Sequence, residues 1–319
     1  MDRSSTTSHI GGTSKINTHM AQMKIWNSNE TPSKGPYAVT IGSYDGIHKG
    51  HKEIIQNLAD NSKKSLLITF DPHPKAFFMK SRFRCLTSMD EKIQSLADTD
   101  LTDIWIVSFN DRLANLNHSE FIASILEKIE VSHLAVGEDF RFGKNRTGDT
   151  GELKKWCDGN GISIDVLGDV TDGNTKISST LIREKISKGE IEKANELLGG
   201  EYSISGTVVK GSRRGGGIDF PTANIKISGE KQEPGHGVYC GKIQIDEKAY
   251  RAAINYGTRK TFGEGDVWLE VHILDFDQII YGKDVKIFLT KKIREEKKFE
   301  NIDELKRQIS KDVEACRKD

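Results

Sequence analysis

Little in this chain could serve as covalent or metal-borne scaffolding. Its 319 residues include four cysteines, Cys85, Cys157, Cys240 and Cys316, scattered with no CxxC pair. No secretory apolar core accompanies them, so neither a disulfide framework nor a zinc site is expected. An excess of one charge is missing too: 47 Lys and Arg balance 47 Asp and Glu. Without a long cationic block the sequence carries no nucleic-acid footprint. Apolar runs are of the size of Leu66-Leu67-Ile68, far short of the ~20 residues a membrane helix needs. These absences predict a soluble protein of a reducing cytoplasm, with no nucleic acid or membrane as partner; small-molecule partners and a monomer or weak homo-oligomer are the further expectation, which composition does not itself decide.

What is present divides in two, as the length suggests. Residues 1–35, rich in Ser, Thr, Gly and Asn and without periodicity, read as a disordered or vector-derived tail. Residues 36–199 alternate strand-like and helix-like segments. The strand candidates are Tyr37 to Ile41, Ser65 to Phe70, Asp103 to Phe109, His133 to Val136 and Ser163 to Leu167. Helices between them are expected to start at Lys52, at Asp90, at Asn117 or Ser119, and at Thr150 or Gly151. This alternation predicts a Rossmann-like parallel sheet with ligands at the carboxyl ends of its strands. Residues 200–319 change rhythm to six alternating segments separated by Gly-rich turns, from Tyr202 to Leu289, followed by a helix from Asn301 to Arg317. That pattern predicts a compact antiparallel six-stranded β-barrel with a C-terminal helix against it.

The most informative string follows the first of these strands: Gly42-Ser43-Tyr44-Asp45-Gly46-Ile47-His48-Lys49-Gly50-His51. Glycines at a strand end, two histidines and a helix beginning beside them form a place for phosphate, because unpaired N–H groups and the helix dipole both favour an anion. Phe70-Asp71-Pro72-His73-Pro74 follows the second strand and holds His73 between two prolines. Gly137-Glu138-Asp139-Phe140-Arg141-Phe142-Gly143 follows the fourth and offers a carboxylate and aromatics, either for a planar ring or as core plugs. Ser178, Ser179 and Thr180 open a helix with more hydroxyls than one cap needs, and Arg183 stands one turn inward. In the second half, Thr222 and Asn224 lie two residues apart on a strand, hence on one face, and their hard oxygens suit Mg²⁺. Lys210 to Gly217, with Gly211, Arg213 and Arg214, offers flexible backbone and positive charge. Glu270 alternates with Leu269 and Val271 and is a candidate base.

Taken together, GSYDGIHKGH, FDPHP, GEDFRFG, ISSTLIR, FPTANI, GVYCG, LEVHILDF and IREEKKF resemble, in order and spacing, the bacterial bifunctional riboflavin kinase/FMN adenylyltransferases, also called FAD synthetases. The resemblance implies phosphorylation of riboflavin to FMN in the barrel and adenylylation of FMN to FAD, with release of pyrophosphate, in the first domain. ATP, riboflavin, FMN and FAD are then substrates and products, with Mg²⁺ as cofactor. It implies that Gly42, Tyr44, Asp45, His48, His51, Ser178, Ser179, Thr180 and Arg183 bind the ATP phosphates of adenylylation. His73, Asp139 and Phe140 then face the flavin nucleotide or the reacting phosphates. In the kinase half, Gly211, Arg213, Arg214, Pro221, Thr222 and Asn224 bind ATP, Thr222 and Asn224 hold the metal, Glu270 is the base and Arg294 lies near the flavin. Two departures stand out: Gly215-Gly216-Gly217-Ile218-Asp219 lacks the family's usual arginine, and Lys260 replaces a proline before Thr261. They leave two alternatives, an FMN adenylyltransferase with a weak or inactive kinase domain and a non-catalytic flavin-binding protein. Tyr44 in place of the more frequent Phe changes little.

Overall fold

The computed structural model describes residues 23–33, 35–210, 220–227, 230–258 and 267–318. Gly211, Arg213 and Arg214, with Gly215 to Asp219 and Arg259 to Thr261, lie outside the described residues.

Six strands form the first sheet: β1 (Lys24–Trp26), β2 (Tyr37–Ile41), β3 (Ser65–Asp71), β4 (Asp103–Ser108), β5 (Val131–Gly137) and β6 (Ser163–Leu167). They are ordered β1-β4-β3-β2-β5-β6, and every pairing is parallel. Tyr37 to Ile41 is buried at all five positions, as expected of a strand covered on both faces. One strand is a correction. Residues 24–26, set aside with the tail, pair with β4, and Trp26 Nε1 donates to Asp103 Oδ1 at 2.7 Å. Three residues are too few for periodicity to reveal.

The helices of this half are α1 (Lys49–Asn61), α2 (Pro74–Met79), α3 (Met89–Ala97), α4 (Asp111–Asn115), α5 (His118–Ile125), α6 (Thr150–Asn160), α7 (Ser179–Ser187) and α8 (Ile191–Leu198). A small hairpin, β7 (Thr171–Asp172) with β8 (Thr175–Lys176), precedes α7. Helix α3 is capped by Ser88, with Glu91 completing a capping box, two residues before the expected Asp90. Helix α6 is capped by Asp149 and not by Thr150 or Gly151. In both, the side chain that reaches the free amides outcompetes its neighbours.

The second sheet closes on itself. Strands β9 (Tyr202–Val209), β10 (Ala223–Ile227), β11 (Gly237–Ile245), β12 (Lys248–Thr258), β13 (Val267–Ile273) and β14 (Asp284–Arg294) form a barrel in the order β10-β13-β12-β11-β14-β9. All six pairings are antiparallel. Strand β14 runs five residues past the expected Leu289, through register shifts opposite Val238 to Gly241. Helix α9 (Ile302–Lys318) packs Val313 and Cys316 against Cys240, Ala253 and Leu274 on the barrel's outer face. Cys240 and Cys316 form a disulfide. This corrects the expectation of no disulfide: the two thiols meet only once the barrel and helix are assembled, and 76 residues of separation hide that proximity.

Two seams join the halves. Ile182, Ile186, Ile191 and Leu197 of α7 and α8 share one buried cluster with Tyr202, Ile204, Tyr239 and Leu289 of the barrel. Elsewhere Cys85 bridges Lys231 in parallel, with Cys85 N donating to Glu230 O at 2.8 Å and Gln232 N to Cys85 O at 2.7 Å.

Candidate functional sites

In a doubly wound sheet a ligand crevice opens where the strand order reverses. Here that point lies between β2 and β5, which adjoin each other while their neighbours run on to opposite edges. The loop after β2 carries Gly42 to His48 and the loop after β5 carries Asp139 and Phe140, so topology alone converges the two strings.

The first loop is tightly built. A Cβ on Gly42 would stand 3.0 Å from the Tyr44 ring, and Tyr44 and Ile47 have positive φ, a local strain that the packing beneath must hold, while Gly46 takes its positive φ without strain. Tyr44 is 4% exposed, with its hydroxyl bonded to Thr40 Oγ1. Asp45 is 2% exposed. Its carboxylate accepts from Leu86 N and from Thr87 N and pairs with Arg183. Burial alone would raise the Asp45 pKa, but the Arg183 charge and the two amides reverse that and hold it below the usual carboxylate range. The side chains of Tyr44 and Asp45, expected at the ATP phosphates, therefore shape the loop from within.

His48 caps α1, its Nδ1 accepting from His51 N at 3.4 Å, which starts the helix earlier than the expected Lys52. The two imidazoles stack with centroids 3.7 Å apart. Burial lowers the His48 pKa to about 4. Burial, then the neighbouring His48 and Lys92, push His51 well below its usual value. His51 Nδ1 is buried with no hydrogen-bond partner among the described residues. Two neutral rings at a helix start can each offer an N–H to an incoming oxygen.

Helix α7 abuts this loop. Ser178 Oγ accepts from Leu181 N at 3.3 Å, Ser179 Oγ donates to Asp45 O at 2.8 Å, and Thr180 is exposed. Arg183, besides pairing with Asp45, donates from Nε to Arg84 O at 2.9 Å and lies 4.5 Å from the Phe83 ring. His73 caps α2 by accepting from Lys75 N at 3.0 Å, its ring 4.6 Å from Phe83. Burial lowers its pKa to about 4. Asp139 is exposed and pairs with Lys176 at 2.8 Å. Phe140 stacks on buried Phe142 at 5.6 Å and packs partly into the core, so the aromatics of that loop serve at least partly as plugs.

Lys92 and Lys176 are site neighbours that the sequence reading missed. A signal for the first existed: Lys92 lies three residues after Met89 and four before Leu96, on the apolar stripe of α3.

On the barrel, one lateral row of the outer face collects the kinase candidates. Register places Asn224 opposite Glu270, Glu270 opposite Asn255, Asn255 opposite Val238 and Val238 opposite Arg294. Leu269 and Val271 face the buried interior, which sets Glu270 on the opposite side as expected. Asn224 is 6% exposed, and its Oδ1 has no partner among the described residues. Pro221 and Thr222 are exposed just before β10, where Pro221 O accepts from His272 Nδ1 at 2.9 Å. Arg294 is held by Asp312 of α9, Nη2 to Oδ2 at 2.7 Å. Asn255, beside Glu270, went unremarked because a single strand does not disclose its lateral neighbours.

The fold is of a two-part class, a doubly wound parallel sheet joined to a closed antiparallel barrel. The FAD synthetase family model matches residues 30–181, and the riboflavin kinase family model matches residues 198–319. The Escherichia coli K12 bifunctional riboflavin kinase/FMN adenylyltransferase is 36% identical over 300 residues, 92% of this chain and 95% of that one. The Bacillus subtilis enzyme of the same description is 33% identical over 87% of this chain and 90% of its own length. A solved structure titled as a macrolide-efflux protein from Streptococcus pneumoniae superposes with a TM-score of 0.85 at 28% identity, covering 92% of this chain and 99% of that one. The chain belongs to the bifunctional riboflavin kinase/FMN adenylyltransferase family.

Proposed function

We propose that this chain makes FAD in two steps, phosphorylating riboflavin on the barrel and adenylylating the resulting FMN at the β2/β5 crevice. For the first step, the observation that carries the reading is the row joining Glu270 to Asn224. Glu270 accepts the proton of the ribityl hydroxyl as that oxygen attacks the γ-phosphorus of ATP, and ADP leaves. The buried Oδ1 of Asn224, without a partner among the described residues, and the Thr222 hydroxyl two residues earlier are hard oxygen donors that suit Mg²⁺, which needs few protein ligands when nucleotide phosphates supply the rest. When bound, the ion would neutralise charge on the transferred phosphoryl group. Pro221 would border the nucleotide, and Arg294 would lie near the flavin.

For the second step, the stacked neutral pair His48 and His51 carries the reading. The FMN phosphate attacks the α-phosphorus of ATP in line and expels pyrophosphate, so the protein's work is placement and charge stabilisation. His48, His51 and the backbone from Gly42 to Gly46 hold the triphosphate. Ser178, Ser179, Thr180 and Arg183 supply a second clamp, with Arg183 exchanging part of its Asp45 contact for phosphate. His73, Asp139 and Phe140 face the flavin nucleotide.

The test follows product formation by HPLC from riboflavin or FMN with Mg²⁺-ATP. His51→Ala is expected to abolish FAD formation and spare FMN formation, and Glu270→Gln to do the reverse. Loss of both activities in a folded variant would contradict two separate sites. The Gly215 to Asp219 segment favours a second reading, an adenylyltransferase with a weak kinase half. Consumption of riboflavin at a rate comparable to FMN would end it.

A further inference from the structure

Lys92 is a buried cation for which the two-step reading has no use. It is 3% exposed, and its ammonium donates to Ser43 O at 2.7 Å and to Thr69 Oγ1 at 3.1 Å. Both acceptors are neutral, an ammonium has three donors, and no carboxylate lies within ion-pair distance among the described residues. The contrast with its helix neighbour is direct, since buried Glu91 is paired with buried Lys231. Asp45, Cys85 and Asp71 act on Lys92 only through space, and Asp45 is already taken by Arg183, Leu86 N and Thr87 N.

A glutamine amide also carries two N–H donors, and burying a neutral donor is far less costly than burying an unpaired charge. An ammonium kept there is best explained by an anion that completes it. Position agrees: Ser43 directly follows Gly42 in the strained loop ahead of His48. Lys92 also lines a cavity of about 210 Å³ with Asp71, His73, Thr87, Ser88 and Lys231, beside the face proposed for the flavin nucleotide.

We propose that Lys92 is a positioning residue for adenylyl transfer: it grips the Ser43 carbonyl so that the Gly42 to His48 loop is shaped for the triphosphate, and its charge is balanced when that polyanion is bound. The proposal rests on the assignment of adenylylation to the β2/β5 crevice.

The experiment uses the full chain with Lys92→Gln, which keeps two N–H donors and removes the charge, and Lys92→Met, which removes both. Lys92→Gln is expected to raise KM for ATP and lower kcat in FAD formation, together about 100-fold in kcat/KM. Riboflavin phosphorylation should stay within about twofold, and the unliganded Tm should hold or rise because a buried charge is gone. The Tm increase that inorganic pyrophosphate gives the parent should largely disappear. Unchanged FAD formation in Lys92→Gln overturns the proposal, as does a parallel fall of both activities and Tm, which would mark a purely structural role. If Lys92→Met fails to fold, Lys92→Gln decides. His51→Ala run alongside separates the two claims: its failure to make FAD beside a normal Lys92→Gln removes Lys92 alone, whereas normal FAD formation in both removes the site itself.

Discussion

At the scale of single residues, burial is the main agent at the phosphate loop. His48 and His73 are held to a pKa of about 4 by burial, so at pH 7 they serve as neutral donors and not as cations. The unfolded chain takes up these protons near pH 6.5, the folded chain only near 4. Stability from these rings is therefore complete above pH 6.5 and is lost as pH falls toward 4, by about 3 kcal/mol for His48 alone. An NMR titration of the ligand-free protein should find both Hε1 resonances unmoved between pH 8 and about pH 5.5, with midpoints well below 6.5. Midpoints near 6.5 would show that these rings are open to water.

Individual elements show what could be read from the chain and what could not. Tyr37 to Ile41, Ser163 to Leu167, Tyr202 to Val209 and Ala223 to Ile227 were all legible, because a period of two or a short β-rich run bounded by glycines encodes a strand locally. The same locality let Thr222 and Asn224, and separately Glu270, be singled out as candidates from strand spacing alone. Lateral neighbours were not legible: that Asn255 stands beside Glu270, or Cys240 beside Cys316, depends on register and docking between distant segments. Lys231 belongs to this hidden class. It reaches across from the barrel half to Glu91 on α3 and to Leu86 O, and Ser205 Oγ donates to the same Glu91 carboxylate at 2.8 Å. Burial is the largest influence and would raise the Glu91 pKa, but the Lys231 charge together with hydrogen bonds from Lys231, Ser88 N and Ser205 outweighs it and holds the carboxyl below its usual value. Lys231→Met strands that charge, so urea unfolding should reveal a loss of about 3–5 kcal/mol. A change under about 1 kcal/mol would mean that water reaches Glu91 and the seam is loose.

For the molecule as a whole, the shared core matters more than the break in sequence rhythm near residue 200. Ile182, Ile186, Ile191 and Leu197 lie in one cluster with the barrel interior, so a fragment of residues 200–319 leaves apolar barrel surface uncovered. A fragment of residues 177–319 retains α7 and α8 and should unfold cooperatively by circular dichroism, at a Tm above that of the shorter one by about 5 °C or more. Equal stability of the two fragments would show that α7 and α8 contribute nothing to the barrel.

The bridge between Cys85 and Lys231 has a consequence for how such proteins can be recombined. The residues around Cys85 serve two neighbours at once: Leu86 N and Thr87 N hold Asp45 under the phosphate loop, while Cys85 itself is zipped to the 230–232 segment of the other half. A chimera that takes one half from a distant relative inherits one side of this zipper without its mate. Swaps that carry residues 83–91 and 230–233 as a unit would keep the junction whole, and a lineage that splits the two chemistries onto separate polypeptides has to rebuild that underlay from other residues.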